Sequence, residues 1–219
     1  MIKLEQIGKT YKNGAMSYEA LKNVDLSIAD GEYIVITGAS GSGKTTLLNL
    51  IGCLDTPTAG RYLLNDKPIE SYGSGKLSAL RNTYFGFVLQ DFALLRNETA
   101  LFNVMMPLLI QNKKTAEIKE IAKNALASVG LSGMENKKAI HLSGGQQQRV
   151  AIARALATNA SVIIADEPTG QLDSATGKEI MELLSELHKS GKTIIVATHN
   201  PLIRAYADRE IRLSDGRIV

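Results

Sequence analysis

The sequence carries one glycine-rich stretch whose spacing suits the binding of phosphate groups. Gly38-Ala39-Ser40-Gly41-Ser42-Gly43-Lys44-Thr45 matches the pattern G-x-x-x-x-G-K-[ST] between an apolar strand and a helix. In that pattern backbone amides surround the phosphates, Lys44 reaches the β- and γ-phosphates, and the Thr45 hydroxyl binds Mg²⁺. A simple glycine-rich turn is the alternative, but it does not explain why Lys44 and Thr45 follow. We therefore predict a nucleoside triphosphate bound by Gly38, Ala39, Ser40, Gly41, Ser42, Gly43, Lys44, Thr45 and Thr46.

A pair of carboxylates follows the apolar run 162–165, which is typical of a buried strand. Asp166 and Glu167 stand at the carboxyl end of that strand, which is the edge where ligands bind in parallel α/β sheets. Asp166 is predicted to hold Mg²⁺ through water, and Glu167 to act as the general base toward the attacking water. Two solvated carboxylates that cap a strand are the alternative, and the pair alone does not decide between the two interpretations.

A second anion-binding feature is predicted at Leu142-Ser143-Gly144-Gly145-Gln146, which we call the LSGGQ segment. It stands directly before a helix, where Ser143 is a typical N-cap and the glycines let the backbone approach an anion. The chain then has two phosphate-binding helix starts but one phosphate loop. A head-to-tail dimer would use both, with Ser143, Gly144, Gly145 and Gln146 of one copy on the γ-phosphate held by the other. A plain loop-to-helix cap is the alternative.

Strands and helices that alternate along the chain must position these residues. Buried apolar strands between helices indicate an α/β fold with a mostly parallel sheet. The pattern turns helical after Gln90, and the stretch from about 91 to 158 interrupts the alternation. We interpret it as a helical subdomain inserted into a single domain of residues 1–219, whose core is formed by about 1–90 and 159–219.

The composition excludes several classes of protein. The chain has 219 residues and a net charge of +3 without a basic block, so nothing in it predicts nucleic acid as a partner. Its single cysteine, Cys53, excludes an intrachain disulfide and suits a reducing compartment. We expect no signal peptide, and no window has the roughly 18 consecutive apolar residues of a membrane helix. The chain is expected to be cytosolic, with any membrane role running through a partner.

The phosphate loop, the acidic strand end Ala165-Asp166-Glu167-Pro168 and the LSGGQ segment together resemble the ATP-binding subunits of ABC transporters. The resemblance covers essentially the whole chain. It implies ATP and Mg²⁺ as cofactors and the ABC ATPase fold. That fold has a P-loop NTPase core, an N-terminal antiparallel β region and an inserted helical subdomain.

The same resemblance implies roles for four residues outside the three motifs. Gln90 would contact Mg²⁺ and water, and His199 would contact the γ-phosphate. Asp173 would lie in a loop that crosses the dimer interface, and Tyr11 would stack on adenine. Each has a plain alternative, such as a surface amide, a helix cap or a half-buried ring, but their order along the chain favours the family roles. The predicted catalytic residues are Lys44, Gln90, Glu167 and His199, and the predicted metal ligands are Thr45, Gln90 and Asp166.

A closer resemblance is to one branch, the ATPases of macrolide exporters, lipoprotein-releasing complexes and cell-division transport-like complexes. It is carried by residues 47–60, 144–155 and 165–174. Residues that depart from the usual pattern of the branch are Leu89, Phe102, Gln171 and Asn200. None of them removes a group that hydrolysis requires. Phe102 lies in the segment 91–106, which we expect to receive a helix of the partner, so the identity of that partner stays open.

The predicted function is that of an ATPase subunit whose homodimer closes around two Mg-ATP. Closure would power export or extraction of a substrate by a separate transmembrane permease, on the cytoplasmic face of the membrane. A periplasmic or extracellular adaptor, reached through the permease, is a further candidate partner. The alternatives are a membrane-complex regulator of cell-wall enzymes and a soluble ATPase of the translation or DNA-repair type. A single cassette without a heptad array disfavours the soluble types, whereas nothing in the sequence separates the regulator from the exporter or names the cargo.

Overall fold

The computed structural model describes residues 1–14, 16–111 and 113–219, and divides into two compact units. The first unit contains Met1–Arg81 and His188–Val219, and the second contains Asn82–Leu187. In chain order, the strands are β1 (Ile2–Asn13), β2 (Met16–Ile28), β3 (Tyr33–Thr37), β4 (Ala59–Leu64), β5 (Lys67–Pro68), β6 (Phe85–Val88), β7 (Val162–Asp166), β8 (Thr193–Ala197), β9 (Arg209–Ser214) and β10 (Arg217–Ile218). The helices are α1 (Lys44–Ile51), α2 (Ser74–Tyr84), α3 (Ala100–Met105), α4 (Thr115–Ser128), α5 (Gly144–Ala157) and α6 (Ser174–Lys189), with short 3₁₀ helices at Met106–Leu108, Ala139–His141 and Pro201–Tyr206.

The first unit contains an antiparallel sheet in the order β2-β1-β4-β5. Ile2 pairs with Ile28 of β2 on one side and with Leu64 of β4 on the other. From Val24 onward, buried and exposed side chains alternate along β2, as expected for a strand with one buried face. The N-terminal antiparallel β region implied by the family resemblance is therefore present.

The first unit also contains the parallel strands that carry the phosphate loop. β3 lies between β8 and β9 and runs parallel to both, while β10 is an antiparallel edge strand beside β9. β3 and β8 consist almost entirely of buried apolar residues, because parallel strands are covered on both faces. Helix α1 contacts β8 and β2, so the residues that follow the loop pack on β8, which is also a neighbour of β3.

The second unit combines the parallel pair β6–β7 with a group of helices. Phe85 to Val88 pair in register with Val162 to Ala165. Helices α3, α4 and α5 contact one another, and α5 also contacts β6. A Cβ atom at Gly86 would lie 2.8 Å from both the Cβ and the carbonyl oxygen of Ala155, so the absence of a side chain is what lets β6 and α5 approach each other.

These elements confirm the predicted α/β fold class, with two local differences. Helix α2 was not predicted, because its residues have little helical periodicity and Leu77 is its only buried side chain. The helical pattern expected from Gln90 begins only at Ala100, since Phe92 and Ala93 have φ angles of 62° and 46° and hold this part of the chain in turns. Within the described residues, no helix combines the length and apolarity needed to cross a bilayer.

Candidate functional site

The glycine-rich loop between β3 and α1 has the geometry of a phosphate cradle. Gly43 is the N-cap of α1 with φ 105°, so no side chain caps this helix, and its first turn contains no acidic residue. Lys44 folds back over the loop, where its Nζ donates hydrogen bonds to the carbonyl oxygens of Gly38 at 2.9 Å and Ala39 at 3.0 Å. An uncapped helix start beside a lysine ammonium is the arrangement that binds anions in such loops.

Two further features of the loop fit a triphosphate. A Cβ atom at Gly38 would collide with the carbonyl oxygen of Leu213, and one at Gly43 would lie 2.8 Å from the carbonyl oxygen of Ala20, so the loop keeps its curvature only with glycines. The hydroxyl of Ser42 is buried and has no hydrogen-bond partner within the described part of the chain. A buried hydroxyl in this state is rare in native proteins, and a phosphate oxygen would supply its partner.

The predicted magnesium ligands fit a cation that is brought in with the nucleotide. Among the described residues, no group of three or more histidine, cysteine, aspartate or glutamate side chains could hold a metal ion by itself. In nucleotide sites Mg²⁺ takes most of its ligands from phosphate oxygens and water and only one or two from the protein. In the first unit Thr45 has a hydroxyl oxygen of this kind, and in the second unit Gln90 and Asp166 have an amide and a carboxylate oxygen.

Two other predicted residues lie in the first unit with the phosphate loop. Tyr11 is 40% exposed, and its hydroxyl donates to Asp55 Oδ2 at 2.9 Å. Thr46, the last residue predicted for this site, lies beside the same hydroxyl. His199 lines a cavity of about 550 Å³ together with Gly38 and Ala39, and therefore lies close to the start of the loop.

The second unit holds the acidic pair in a turn at the end of β7. Asp166 is the last residue of β7, and Glu167 has a left-handed backbone with φ 47°. Such conformations are unfavourable for residues other than glycine and concentrate at functional sites. A Cβ atom at Gly170 would lie 3.5 Å from the Cβ of Glu167 and 3.7 Å from Nε2 of Gln90. The structure thus brings Gln90 and Glu167 to the same turn.

The LSGGQ segment lies against the start of α6. Ser143 and Gln146 form a capping box, in which the Gln146 amide donates to Ser143 Oγ at 3.3 Å and the Ser143 amide donates to Gln146 Oε1 at 3.1 Å. A Cβ atom at Gly145 would collide with the Cγ2 methyl of Thr176. Asp173 caps α6 through Thr176, whose amide and hydroxyl hold the pKa of this carboxyl below its ordinary value.

Two polar residues of α5 take part in this arrangement although the sequence analysis did not identify them. Gln148 is fully buried, and its Nε2 donates to the carbonyl oxygen of Pro168 at 2.8 Å, behind the acidic pair. Arg154 donates hydrogen bonds to the carbonyl oxygens of Phe92 and Ala93. Burial lowers the pKa of its guanidinium group, and the negative charge of Asp91 partly offsets this decrease. The sequence does contain an indication of the role of Gln148. Its spacing places this polar side chain on the same helix face as the apolar residues Ala151, Ile152 and Ala155.

The predicted site residues thus form two groups. In the first unit, the structure brings together Tyr11, residues 38–46 and His199. In the second unit, Gln90 meets Glu167, and the LSGGQ segment meets the loop that contains Asp173. In the segment 91–106, Leu95 is exposed, whereas Phe92 and Leu94 are half-buried.

Comparison with known proteins assigns the chain consistently to one family. The sequence model of the ABC transporter family matches residues 21–170. The macrolide export ATP-binding/permease protein MacB of Campylobacter fetus subsp. fetus is 47% identical over 219 residues, which are 100% of this chain and 34% of that protein. The uncharacterized ABC transporter ATP-binding protein YvrO of Bacillus subtilis is also 47% identical over 219 residues, which are 100% of this chain and 96% of that protein.

A solved structure is similar over the same length. The ATP-binding cassette MJ0796, in a dimeric post-hydrolysis state bound to ADP and Pi, has a TM-score of 0.91 and 44% identity, covering 100% of this chain and 96% of that chain. The chain spans about a third of the length of the macrolide export relatives that it matches.

Proposed function

The chain belongs to the ABC transporter family and contains its ATPase domain, and from this premise we propose that it is the ATP-hydrolysing subunit of a membrane transport complex. The observation that carries the proposal is the phosphate loop, where an uncapped helix start, the folded-back Lys44 and the buried Ser42 hydroxyl form an anion cradle. In this proposal the chain works as a homodimer, bound at the cytoplasmic face of the membrane through a separate permease.

ATP is the proposed ligand of this cradle. Lys44 pairs with the β- and γ-phosphates, and backbone amides of the loop and of the first turn of α1 donate to phosphate oxygens. Mg²⁺, held by Thr45, Gln90 and, through water, Asp166, would neutralise charge on the phosphates. Tyr11 offers its half-exposed ring to the adenine base. The absence of acidic residues from the first turn of α1 supports this assignment, since a carboxylate there would repel the triphosphate.

Three residues of this chain are proposed to carry out the hydrolysis. Glu167 accepts the proton of the attacking water, because a carboxylate fixed in a rigid turn can hold that water in line with the γ-phosphate. Gln90, which lies at the same turn, positions the water. His199 donates a hydrogen bond to the γ-phosphate, and its place in the cavity beside Gly38 supports this role.

The second copy is proposed to complete the nucleotide site. The capping box uses the amides of Ser143 and Gln146 and leaves other first-turn amides of α5 to a ligand, which supports a γ-phosphate contact from the partner's LSGGQ segment. ATP then holds two copies together, and its hydrolysis lets them separate. The dimeric state of the MJ0796 cassette supports this arrangement, and Asp173 is proposed to lie near the shared interface.

A permease is the proposed membrane partner, and an exposed apolar patch in the second unit supports it. We define the docking patch as Leu95, Phe102, Met106, Leu109 and Ile110, all of which are exposed. Asn103, buried in α3, ties Leu95 to this helix by hydrogen bonds to both its backbone amide and its carbonyl. An apolar surface of this kind is typical of a protein–protein contact. The names of the macrolide export relatives support export, and an adaptor beyond the permease would fit the same proposal.

Affinity purification of the chain from gently solubilised native membranes tests this function. We expect a multi-span membrane protein to be recovered with the parental chain and lost with the double variant Leu95→Glu/Met106→Glu, because two carboxylates disfavour burial of the patch. The matched control is Leu202→Glu, which places a carboxylate at an equally apolar position of the first unit that is 76% exposed. Recovery of ribosomes or DNA without any membrane protein would contradict the transporter assignment.

A further inference from the structure

The Tyr11 hydroxyl is fixed by residues that lie far from it in the sequence. It donates a hydrogen bond to Asp55 Oδ2 at 2.9 Å, and Thr46 in the first turn of α1 lies beside it. Asp55 lies just after the end of the same helix. A ring on β1 is therefore attached to the segment that follows the helix beginning at the phosphate loop.

Lys9 fixes the ring from a second direction. Its side chain is nearly buried, and its Nζ donates to Asp55 Oδ1 at 2.6 Å and to the carbonyl oxygen of Thr56 at 2.8 Å. The same ammonium group lies 4.9 Å from the centroid of the Tyr11 ring. An ammonium group with so little access to water is stable only when it is paired, so Lys9 has little freedom to move away.

Asp55 connects these contacts. One of its carboxylate oxygens accepts from Lys9 and from the Thr56 amide, and the other accepts from Tyr11. Burial alone would raise the pKa of this carboxyl, but the hydrogen bonds from Lys9, Tyr11 and Thr56 outweigh burial and leave the pKa below its ordinary value. Asp55 is therefore ionised at neutral pH, when its carboxylate accepts from all three donors.

We propose that Lys9 and Asp55 are positioning residues that hold the Tyr11 ring in the orientation in which it stacks on the base of the bound nucleotide. The inference rests on the proposed function, in which the loop holds the phosphates and Tyr11 contacts the base. Lys9 and Asp55 do not touch the nucleotide in this scheme. They reduce the conformational freedom that Tyr11 loses on binding, because its hydroxyl and the side of its ring near Lys9 are already held.

Loss of this positioning should affect only the contact with the nucleotide base. Releasing the ring weakens only the interaction that the base makes, and leaves the phosphate contacts of the loop unchanged. We expect a loss of about 3- to 10-fold in affinity for ATP, the range given by the freedom of one rotamer-rich side chain. Affinity for inorganic tripolyphosphate, which lacks a base, should change less than about 2-fold, since the hydrogen bonds of the Lys9 and Asp55 side chains go to each other, to Tyr11 and to Thr56 rather than to the phosphate loop.

The experiment measures the binding of ATP and of inorganic tripolyphosphate, each with Mg²⁺, to the full chain by isothermal titration calorimetry. The central variants are Asp55→Asn and Tyr11→Phe, which remove the carboxylate charge and the tyrosine hydroxyl while keeping the shape of each side chain. Lys9→Arg keeps a cation at the same place and should retain most of the ATP affinity. Asp25→Asn is the matched control, because the Asp25 carboxylate accepts from the Gln6 amide in the same antiparallel sheet and lies outside the network.

A double-mutant cycle separates positioning from a general loss of stability. If Asp55 acts through the Tyr11 hydroxyl, Asp55→Asn will have little further effect on ATP binding when Tyr11 is already Phe. Equal losses for ATP and tripolyphosphate, or losses that add fully in the double variant, would overturn the proposal. So would an ATP affinity for Asp55→Asn that equals the parental value.

The variant Tyr11→Ala distinguishes an error in the positioning proposal from an error in the proposed function. If Tyr11→Ala weakens ATP binding and Asp55→Asn does not, only the positioning role is wrong. If Tyr11→Ala binds ATP as the parental chain does, the base contact itself is wrong, and the positioning role falls with it. If the parental chain binds neither ligand, the phosphate cradle is not a nucleotide site and both proposals fail.

Discussion

Cys53 shows how strongly the surroundings of a single residue determine its chemistry. It follows α1 with a left-handed φ of 56° and is 3% exposed. Burial raises the pKa of its thiol to about 11, although the hydrogen bond with Tyr62 and the charge of Arg81 act in the opposite direction. The thiolate is the reactive form of cysteine, so the native thiol should be nearly inert at neutral pH.

We expect the native chain to react with 5,5′-dithiobis(2-nitrobenzoic acid) at pH 8 about 100-fold more slowly than the chain unfolded in guanidinium. The rate in the native state should rise as the pH approaches 11, because the thiolate fraction rises with it. The control is Ser71→Cys in a Cys53→Ala background, which places the thiol at an exposed position of the same unit. Equal rates for the native and the unfolded chain would show that Cys53 is not protected.

At the scale of elements, the glycines of the LSGGQ segment have a structural role besides the one proposed with nucleotide. A Cβ atom at Gly145 would collide with the Cγ2 methyl of Thr176 in the first turn of α6. Thr176 cannot easily rotate out of the way, because its hydroxyl donates to Asp173 Oδ2 at 2.7 Å. The close contact between α5 and the start of α6 therefore requires glycine at this position.

Gly145→Ala is expected to destabilise the chain by about 1–3 kcal/mol through overpacking, although alanine normally favours a helix. Adding Thr176→Ser should restore most of the stability, since serine keeps the hydroxyl and lacks the methyl group. Gly75→Ala in α2 is the control and should be neutral or slightly stabilising, because nothing lies within 4 Å of its Cβ position. The free energy of unfolding from denaturant titrations measures all three, and a fully stable Gly145→Ala would contradict the contact.

At the scale of the whole molecule, the proposed dimer stays closed only while unhydrolysed ATP is bound between its two copies. Glu167→Gln should keep ATP binding, because the amide matches the carboxylate in size and Glu167 is not proposed to hold the phosphates. Hydrolysis should fall by about 100-fold or more, the usual contribution of a general base. ATP would then remain bound, and the closed dimer should accumulate.

Sedimentation velocity with Mg-ATP measures this outcome together with the rate of phosphate release. We expect Glu167→Gln to sediment mainly as a dimer with ATP and as a monomer with ADP, and the parental chain to remain mostly monomeric. Glu186→Gln, an exposed glutamate of α6 far from the acidic pair in sequence, should behave like the parental chain. A Glu167→Gln chain that releases phosphate at the parental rate would refute the role of the general base.

The features of this protein that could be predicted from the sequence are those that neighbouring residues determine. The phosphate loop was identified from consecutive residues, because a strand, a glycine turn and a helix start are local features. The hairpin of β9 and β10 is local in the same sense, because Asp215 and Gly216 form the turn between its strands. Helix α2 was not predicted, since it has little periodicity and only one buried residue. The roles of Gln90, His199 and Asp173 stay predictions that rest on the family resemblance.

By itself, the order of residue types along the chain determined the α/β fold class, the nucleotide-binding chemistry and the family. These depend on local spacing and on which strands are apolar enough to be buried. Only the tertiary structure decided which distant residues meet. One network joins Lys9, Tyr11 and Asp55 across more than forty positions of the sequence. The methyl group of Thr176 fills the space that a side chain at Gly145 would need. Such contacts depend on how strands and helices pack in three dimensions, and a packing of this kind leaves no fixed spacing in the sequence.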